Sequence, residues 1–199
     1  SGRALPEISK EEVFSFLNKR RGILDGVCVS GGEPTLHADL AAFLGEIKGM
    51  GYDIKLDTNG TNPKLLKELL KDKIVDYIAL DIKAPLDDRY SKFVNASSSN
   101  VADIKDSLTA VSSSGCRFEL RTTVVPGFHT SALLRDMIEQ VNVIIGAGQA
   151  QEVSWYIQSF RPGSCLEPAY NFIQPYKTGE MQRLYSNISQ KALLVSLRQ

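Results

Sequence analysis

Cysteine is scarce and scattered: Cys28, Cys116 and Cys165 are the only three in 199 residues. Their odd number and wide spacing exclude a disulfide framework and, equally, a short-spaced thiolate metal motif. Charge of one sign is missing too. Lys plus Arg and Asp plus Glu both number 23, giving a formal charge of +0, and no like-charge block suggests a polyanionic partner such as nucleic acid. No apolar run approaches the roughly 20 residues that a membrane helix needs, and no basic-then-apolar leader with a cleavage site opens the chain. These absences point to a soluble cytoplasmic protein with reduced, unpaired thiols. The length suits one domain, residues 1–199, with interior enough for a real core. The first residues are Ser1-Gly2-Arg3 rather than methionine, which reads as a processed or trimmed start.

Strand and helix patterns alternate throughout. Ser9 with Glu12 is a capping-box signature, and Val13, Phe14, Phe16 and Leu17 carry an apolar stripe to about Arg21. Strands are expected over residues 26–30, 53–57, 76–83, 117–125 and 152–159. Helices are expected over residues 39–50, 62–70, a segment around Ile104, Leu108 and Val111, residues 130–145 and residues 178–189. A serine-rich loop is read at residues 96–100, and a short apolar tail at residues 192–197. Repeated strand, helix, strand units imply a parallel α/β sheet with right-handed crossovers.

The strands are not apolar on both sides, as a doubly covered sheet requires. Ile54 and Leu56 alternate with Lys55, Asp57 and Asn59. Ile78, Leu80 and Ile82 alternate with Tyr77, Ala79, Asp81 and Lys83, and the fourth and fifth strands repeat the pattern. One face therefore packs on helices while the other presents charge, which is costly to bury without partners. A barrel or partial barrel with a polar lumen fits, its ligand at the carboxyl ends of the strands. SGGEP, DTNG, DIKAP, TTVVPG and QSFRPG all fall at those ends.

Each motif also has a plainer reading. Gly31-Gly32-Glu33-Pro34 could be a tight turn, although a carboxylate beside side-chain-free positions at a strand end suits a cationic amine. Residues 57–60, DTNG, could be a turn. Parity nonetheless places Asp57 and Asn59 on the face that holds Asp81 and Lys83. An Asp57–Lys83 ion pair would be the structural alternative, and Arg121 and Glu119 could also simply pair with neighbours. His129 follows Pro126-Gly127 in a loop, where a lone histidine is more often at the surface than functional; His37 has less claim. Lys83 beside acidic groups would also permit Schiff-base chemistry.

Taken in order, GVCVSGGEPTL, IKLDTNGTNP, VDYIALDIKAPL, FELRTTVVPG and YIQSFRPG resemble the radical S-adenosylmethionine superfamily, and within it the activases of glycyl-radical enzymes of the anaerobic ribonucleoside-triphosphate reductase type. The likeness runs from about Leu5 to Tyr185. It implies a partial (β/α)6 barrel with S-adenosylmethionine across the strand ends. Gly31, Gly32 and Glu33 would address the methionine amine. Asp57, Thr58 and Asn59 would meet the methionine or ribose, and Asp81 with Lys83 would form a DxK element, the lysine facing a carboxylate. In relatives the positions of Asp57, Thr58 and Asp81 can share a monovalent cation. Arg121, His129 and Gln158 are secondary candidates, and the implied partner is a glycyl-radical enzyme.

One departure stands out. The family carries CxxxCxxC for a [4Fe–4S] cluster that leaves one iron open, and no such motif occurs here. The chain is therefore expected to lack the family's first strand and its iron site, to leave the strand at residues 26–30 as a sheet edge, and to be inactive by itself. Two alternatives stay open: a cluster-less module that binds S-adenosylmethionine or the partner, and a barrel enzyme using Lys83 as nucleophile.

Overall fold

The computed structural model describes residues 7–94, 99–146, 153–163, 165, 168–188 and 194–198. The first helix, α1 (Lys10–Asn18), starts in a complete capping box. The Ser9 hydroxyl accepts from the Glu12 amide, and the Glu12 carboxylate accepts from the Ser9 N–H. Leu17 is its buried residue, and its carbonyl accepts from the Tyr52 hydroxyl at 2.6 Å.

The remaining elements follow as β1 (Gly26–Val29), α2 (Leu40–Gly49), β2 (Asp53–Thr58), α3 (Pro63–Lys71), β3 (Tyr77–Asp81), α4 (Asp88–Val94), α5 (Ser99–Ser113), β4 (Arg117–Val124), α6 (Ser131–Ile145), β5 (Ser154–Ser159), α7 (Thr178–Ile188) and β6 (Leu194–Arg198). The six strands form one parallel sheet in unbroken sequence order, β1-β2-β3-β4-β5-β6. Right-handed crossovers that always advance in one direction place the helices on one face of the sheet. Among the described residues the other face is left uncovered by helices, as in a barrel that has not closed.

Burial follows that division. In β2 the helix side takes Ile54, Leu56 and Thr58, all nearly inaccessible, while Lys55 and Asp57 are half-buried. Leu44, Ile47, Leu66, Leu69, Leu108 and Val141 cover the sheet from the helices. Polar groups beneath the helices are paired where β3, β4 and β5 meet: the indole N–H of Trp155 donates to the Thr122 hydroxyl at 3.0 Å, which donates to the Ile82 carbonyl at 2.6 Å.

The sequence-based boundaries mostly hold to within two residues, and two elements differ. The apolar tail forms β6, paired in parallel with β5 and with α7 packed on it. Its periodicity is too short to separate a strand from a tail, and only the open edge of β5 makes it one. The helix α4 was not anticipated; it buries Tyr90. Asp87, just before it, and Arg89, within it, tie it to Asp136 and Gln140 of α6. The serine-rich segment before Ser99, Glu152 and residues 189–193 lie outside the described residues. As expected, β1 stands at the edge of the sheet, pairing with β2 alone among the described residues.

Candidate functional site

β1 ends at Val29, and the chain then turns through Gly31 and Gly32, with φ of +105° and +58°. A side chain at either position would be strained. No atom lies within 4 Å of where a Cβ would stand, so the space beside these two peptides is open. Glu33 follows in extended conformation as the cap of a 3-10 turn, Pro34–Leu36.

The Glu33 carboxylate turns inward to its own surroundings. Oε1 accepts from the Thr35 amide at 3.2 Å, the Thr35 hydroxyl at 2.6 Å and the Thr58 hydroxyl at 2.7 Å, while Oε2 accepts from the Asn59 amide at 2.7 Å. The Gly60 amide donates to the Thr58 hydroxyl at 3.1 Å. Asn59 closes an Asx turn on Thr61, accepting from its amide at 2.9 Å. Asn62 caps α3 and also donates to the Thr35 carbonyl at 2.8 Å. The first two strand-end loops are thus knotted together through Glu33, with Thr58 on the helix side.

A second cluster occupies the uncovered face. Asp81 and Arg121 are cross-strand partners in the β3–β4 register, and Arg121 Nε donates to Asp81 Oδ1 at 3.0 Å. The same guanidinium donates through Nη1 to Asp57 Oδ2 at 2.8 Å, two strands away on β2. Lys55 spans an equal gap, pairing with Glu119 at 3.2 Å and standing 3.8 Å from Asp57. The Tyr77 hydroxyl donates to the other Glu119 oxygen at 3.0 Å.

These bridges are possible because Asp57, Ala79 and Glu119 lie in one register row. Strands two apart are separated by roughly 10 Å, and the methyl of Ala79 leaves the path between them clear. The Cys28 thiol sits 3.9 Å from Asp57 Oδ1 on the same side. Burial, reinforced by Asp57, pushes that thiol's pKa up, which disfavours the thiolate.

Lys83 reaches this cluster from the end of β3. Its charge acts on Asp81, yet its side chain makes no hydrogen bond or ion pair with another described residue. Burial pushes the Asp81 carboxyl upward, against the opposing pull of Arg121 and Lys83. The expected Asp57–Lys83 pair is absent; Asp57 is held by Arg121 and Lys55 instead.

His129 lies elsewhere, and not at the surface as its place in a loop suggested. It is fully buried, with Nδ1 accepting from the Val125 amide at 2.9 Å. That fixes the proton on Nε2, which donates to the Lys83 carbonyl at 3.0 Å. Burial pushes its pKa down. The ring is a neutral strut between the ends of β3 and β4, stacked edge-on against Phe93 and Phe128. Gln158 donates to Thr123 at 3.0 Å on the neighbouring strand, towards the rim.

The uncovered face therefore gathers Asp57, Asp81, Arg121 and Lys83, with Gln158 on its flank. Glu33 and Thr58 engage each other, and His129 is walled in. Sequence reasoning did not assign Lys55, Tyr77 and Ala79 to the site, although their parity and register row were the available signal. A groove of about 300 Å³ between α1 and the loop after β1, lined by Ile8, Val13, Val29, Gly31, Pro34 and Phe43, opens on the helix side and is separate from the charged face.

The cysteines do not fit an iron–sulfur cluster. Cys28 lies on β1, Cys116 just before β4 and Cys165 in the loop after β5. Among the described residues no group of three or more His, Cys, Asp and Glu side chains could hold a metal ion. No described helix is long and apolar enough to cross a membrane.

Comparison with known proteins agrees with this layout. A family model for the radical SAM superfamily matches residues 2–138. A Methanocaldococcus jannaschii protein, provisionally named a glycyl-radical enzyme activating enzyme, is 29% identical over 180 residues, which are 87% of this chain and 70% of the relative. A domain of pyruvate-formate lyase-activating enzyme from Bacteroides vulgatus superposes with a TM-score of 0.58 at 13% identity, covering 87% of this chain and 99% of that one. Streptococcus suis SuiB superposes at 0.71, also with 13% identity, covering 100% of this chain and 44% of its own. At such identities the two structures attest the shared fold.

Proposed function

The chain belongs to the radical SAM superfamily, and on that premise we propose that its uncovered sheet face binds S-adenosylmethionine in the service of activating a glycyl-radical enzyme. The observation that carries this reading is the pairing pattern on that face. Asp57, Asp81 and Glu119 are each matched by Arg121 or Lys55, while Lys83 keeps an uncommitted ammonium among them.

A free cation beside half-buried carboxylates at the strand ends suits the carboxylate of an amino-acid headgroup. Gly31 and Gly32 leave room for the rest of such a headgroup against the backbone. The Glu33 carboxylate, already accepting four hydrogen bonds, would act chiefly by fixing that loop and only through its remaining lone pair on an amine. Asn59 would line the ribose end, and Gln158 the flank. S-adenosylmethionine, when reductively cleaved, supplies a 5′-deoxyadenosyl radical able to take hydrogen from a glycine. The chain's own residues would bind and orient it. The three cysteines, on separate units of the fold, do not fit an iron–sulfur cluster.

The similarity to an activating enzyme supports a glycyl-radical enzyme as partner, and the resemblance of the strand-end motifs extends the proposal to one of the anaerobic ribonucleoside-triphosphate reductase type. The dispersed cysteines favour a second reading for these 199 residues alone, a module that binds S-adenosylmethionine without cleaving it. Isothermal titration tests the shared part of both: Lys83→Ala should weaken S-adenosylmethionine at least tenfold without altering the fold. If the unaltered chain does not bind it, the proposal fails, and borohydride trapping of a carbonyl compound on Lys83 would replace it with Schiff-base chemistry.

A further inference from the structure

The sequence resemblance implies a monovalent cation shared by Asp57, Thr58 and Asp81, and the geometry of these residues does not fit one. The Thr58 hydroxyl is nearly inaccessible and is committed to Glu33 and the Gly60 amide. The facing oxygens of the two aspartates, Asp57 Oδ2 and Asp81 Oδ1, are both taken by one guanidinium, at 2.8 Å and 3.0 Å.

We infer that Arg121 is a built-in cation that takes the place of a bound sodium or potassium ion on this face. It supplies a positive charge between two adjacent carboxylates that would otherwise repel each other. It also supplies it in a fixed plane, so both aspartates are oriented without recruiting an ion from solution.

Charge counting agrees. Within this cluster Lys55, Lys83 and Arg121 stand against Asp57, Asp81 and Glu119, cation for carboxylate. A further metal cation would leave an uncompensated positive charge in a half-buried site, which is unfavourable. Only 18% of the Arg121 side chain and 13% of the Asp57 side chain are exposed, so a solvated ion could not enter without displacing the guanidinium. The short Ala79 side chain gives Arg121 its passage to β2.

The inference concerns the protein without ligand and does not depend on S-adenosylmethionine binding. Its test is thermal unfolding of the ligand-free chain in potassium, sodium and choline chloride at equal ionic strength. An ion bound tenfold below its working concentration would raise Tm by about 3–5 °C over choline. The unaltered chain is expected to melt at the same temperature in all three salts. Arg121→Gln is expected to melt lower and to regain part of the loss in potassium or sodium but not in choline, because it leaves a vacant site between two carboxylates.

A potassium- or sodium-specific rise in the unaltered chain would overturn the inference. So would an Arg121→Gln protein that folds and melts alike in all three salts. Should that variant fail to fold, the measurement on the unaltered chain still decides the matter. Titrating S-adenosylmethionine in the same three salts then asks separately whether ligand binding demands an ion. Affinity is expected to be equal in all three, and a saturable dependence on potassium or sodium would equally overturn the inference.

Discussion

The Thr58 hydroxyl donates to the Glu33 carboxylate at 2.7 Å, joining the loop after β1 to the end of β2. Through this bond the GGEP segment is held by the sheet as well as by its own turn. The peptides of Gly31 and Gly32, which border open space, are therefore tethered to β2.

Glu33→Ala should be costly for this reason. It leaves the Asn59 amide and the Thr58 hydroxyl without their acceptor, a loss of about 2 kcal/mol, corresponding to a fall in Tm of about 4–8 °C. Glu33→Gln keeps one oxygen and loses the charge, so it should fall between. Urea unfolding of the three proteins measures this, and a fully stable Glu33→Ala would show that the carboxylate is not a structural tie.

Ala79→Leu probes the crossing of β3 by the Arg121 and Lys55 side chains. The added methylenes lie in the row between Asp57 and Glu119, where overpacking costs about 1–3 kcal/mol. The same change should weaken S-adenosylmethionine more than Ala79→Ser does. Equal affinities in the two variants would show that the bridges across β3 do not shape the site.

His129 predicts a dependence of stability on pH. Burial holds its folded pKa below the ordinary value, whereas the unfolded ring titrates near ~6.5. The unfolded chain therefore takes up a proton that the folded chain refuses. Stability is fully present above that pH and declines as pH falls below it, with a slope of at most about 1.4 kcal/mol per unit. Denaturant melts from about pH 7.5 to 5.5 should show the decline, and His129→Gln should flatten it. A slope unchanged by the substitution would assign the effect to other groups.

Anaerobic reconstitution with iron and sulfide should leave these 199 residues colourless, since three separated cysteines cannot supply the thiolates of a cluster. Iron and acid-labile sulfide analysis checks this. A stoichiometric cluster would refute the placement of Cys28, Cys116 and Cys165 in three separate units.

Much of this arrangement was legible in the chain itself. Local signals fixed the elements: the Ser9–Glu12 capping box, Asn62-Pro63 at the start of α3, and the apolar alternation of Ile54 with Leu56 and of Ile78 with Leu80. The same alternation assigned Asp57, Asp81, Lys83 and Arg121 to one face, because strand periodicity is a property of neighbouring residues. Pairing across strands was not legible. Whether Asp57 meets Lys83 or Arg121 depends on the register of β2, β3 and β4 and on the size of Ala79 between them, and these are relations among residues far apart in sequence. The tail became β6 only because β5 offers an open edge, and His129 became a strut only because β3 and β4 bring the Lys83 carbonyl and the Val125 amide to its two nitrogens. Residue order determined which groups face the concave side. Tertiary packing decided which of them are spent on one another and which, like the Lys83 ammonium, keep no hydrogen bond or ion pair with another described residue.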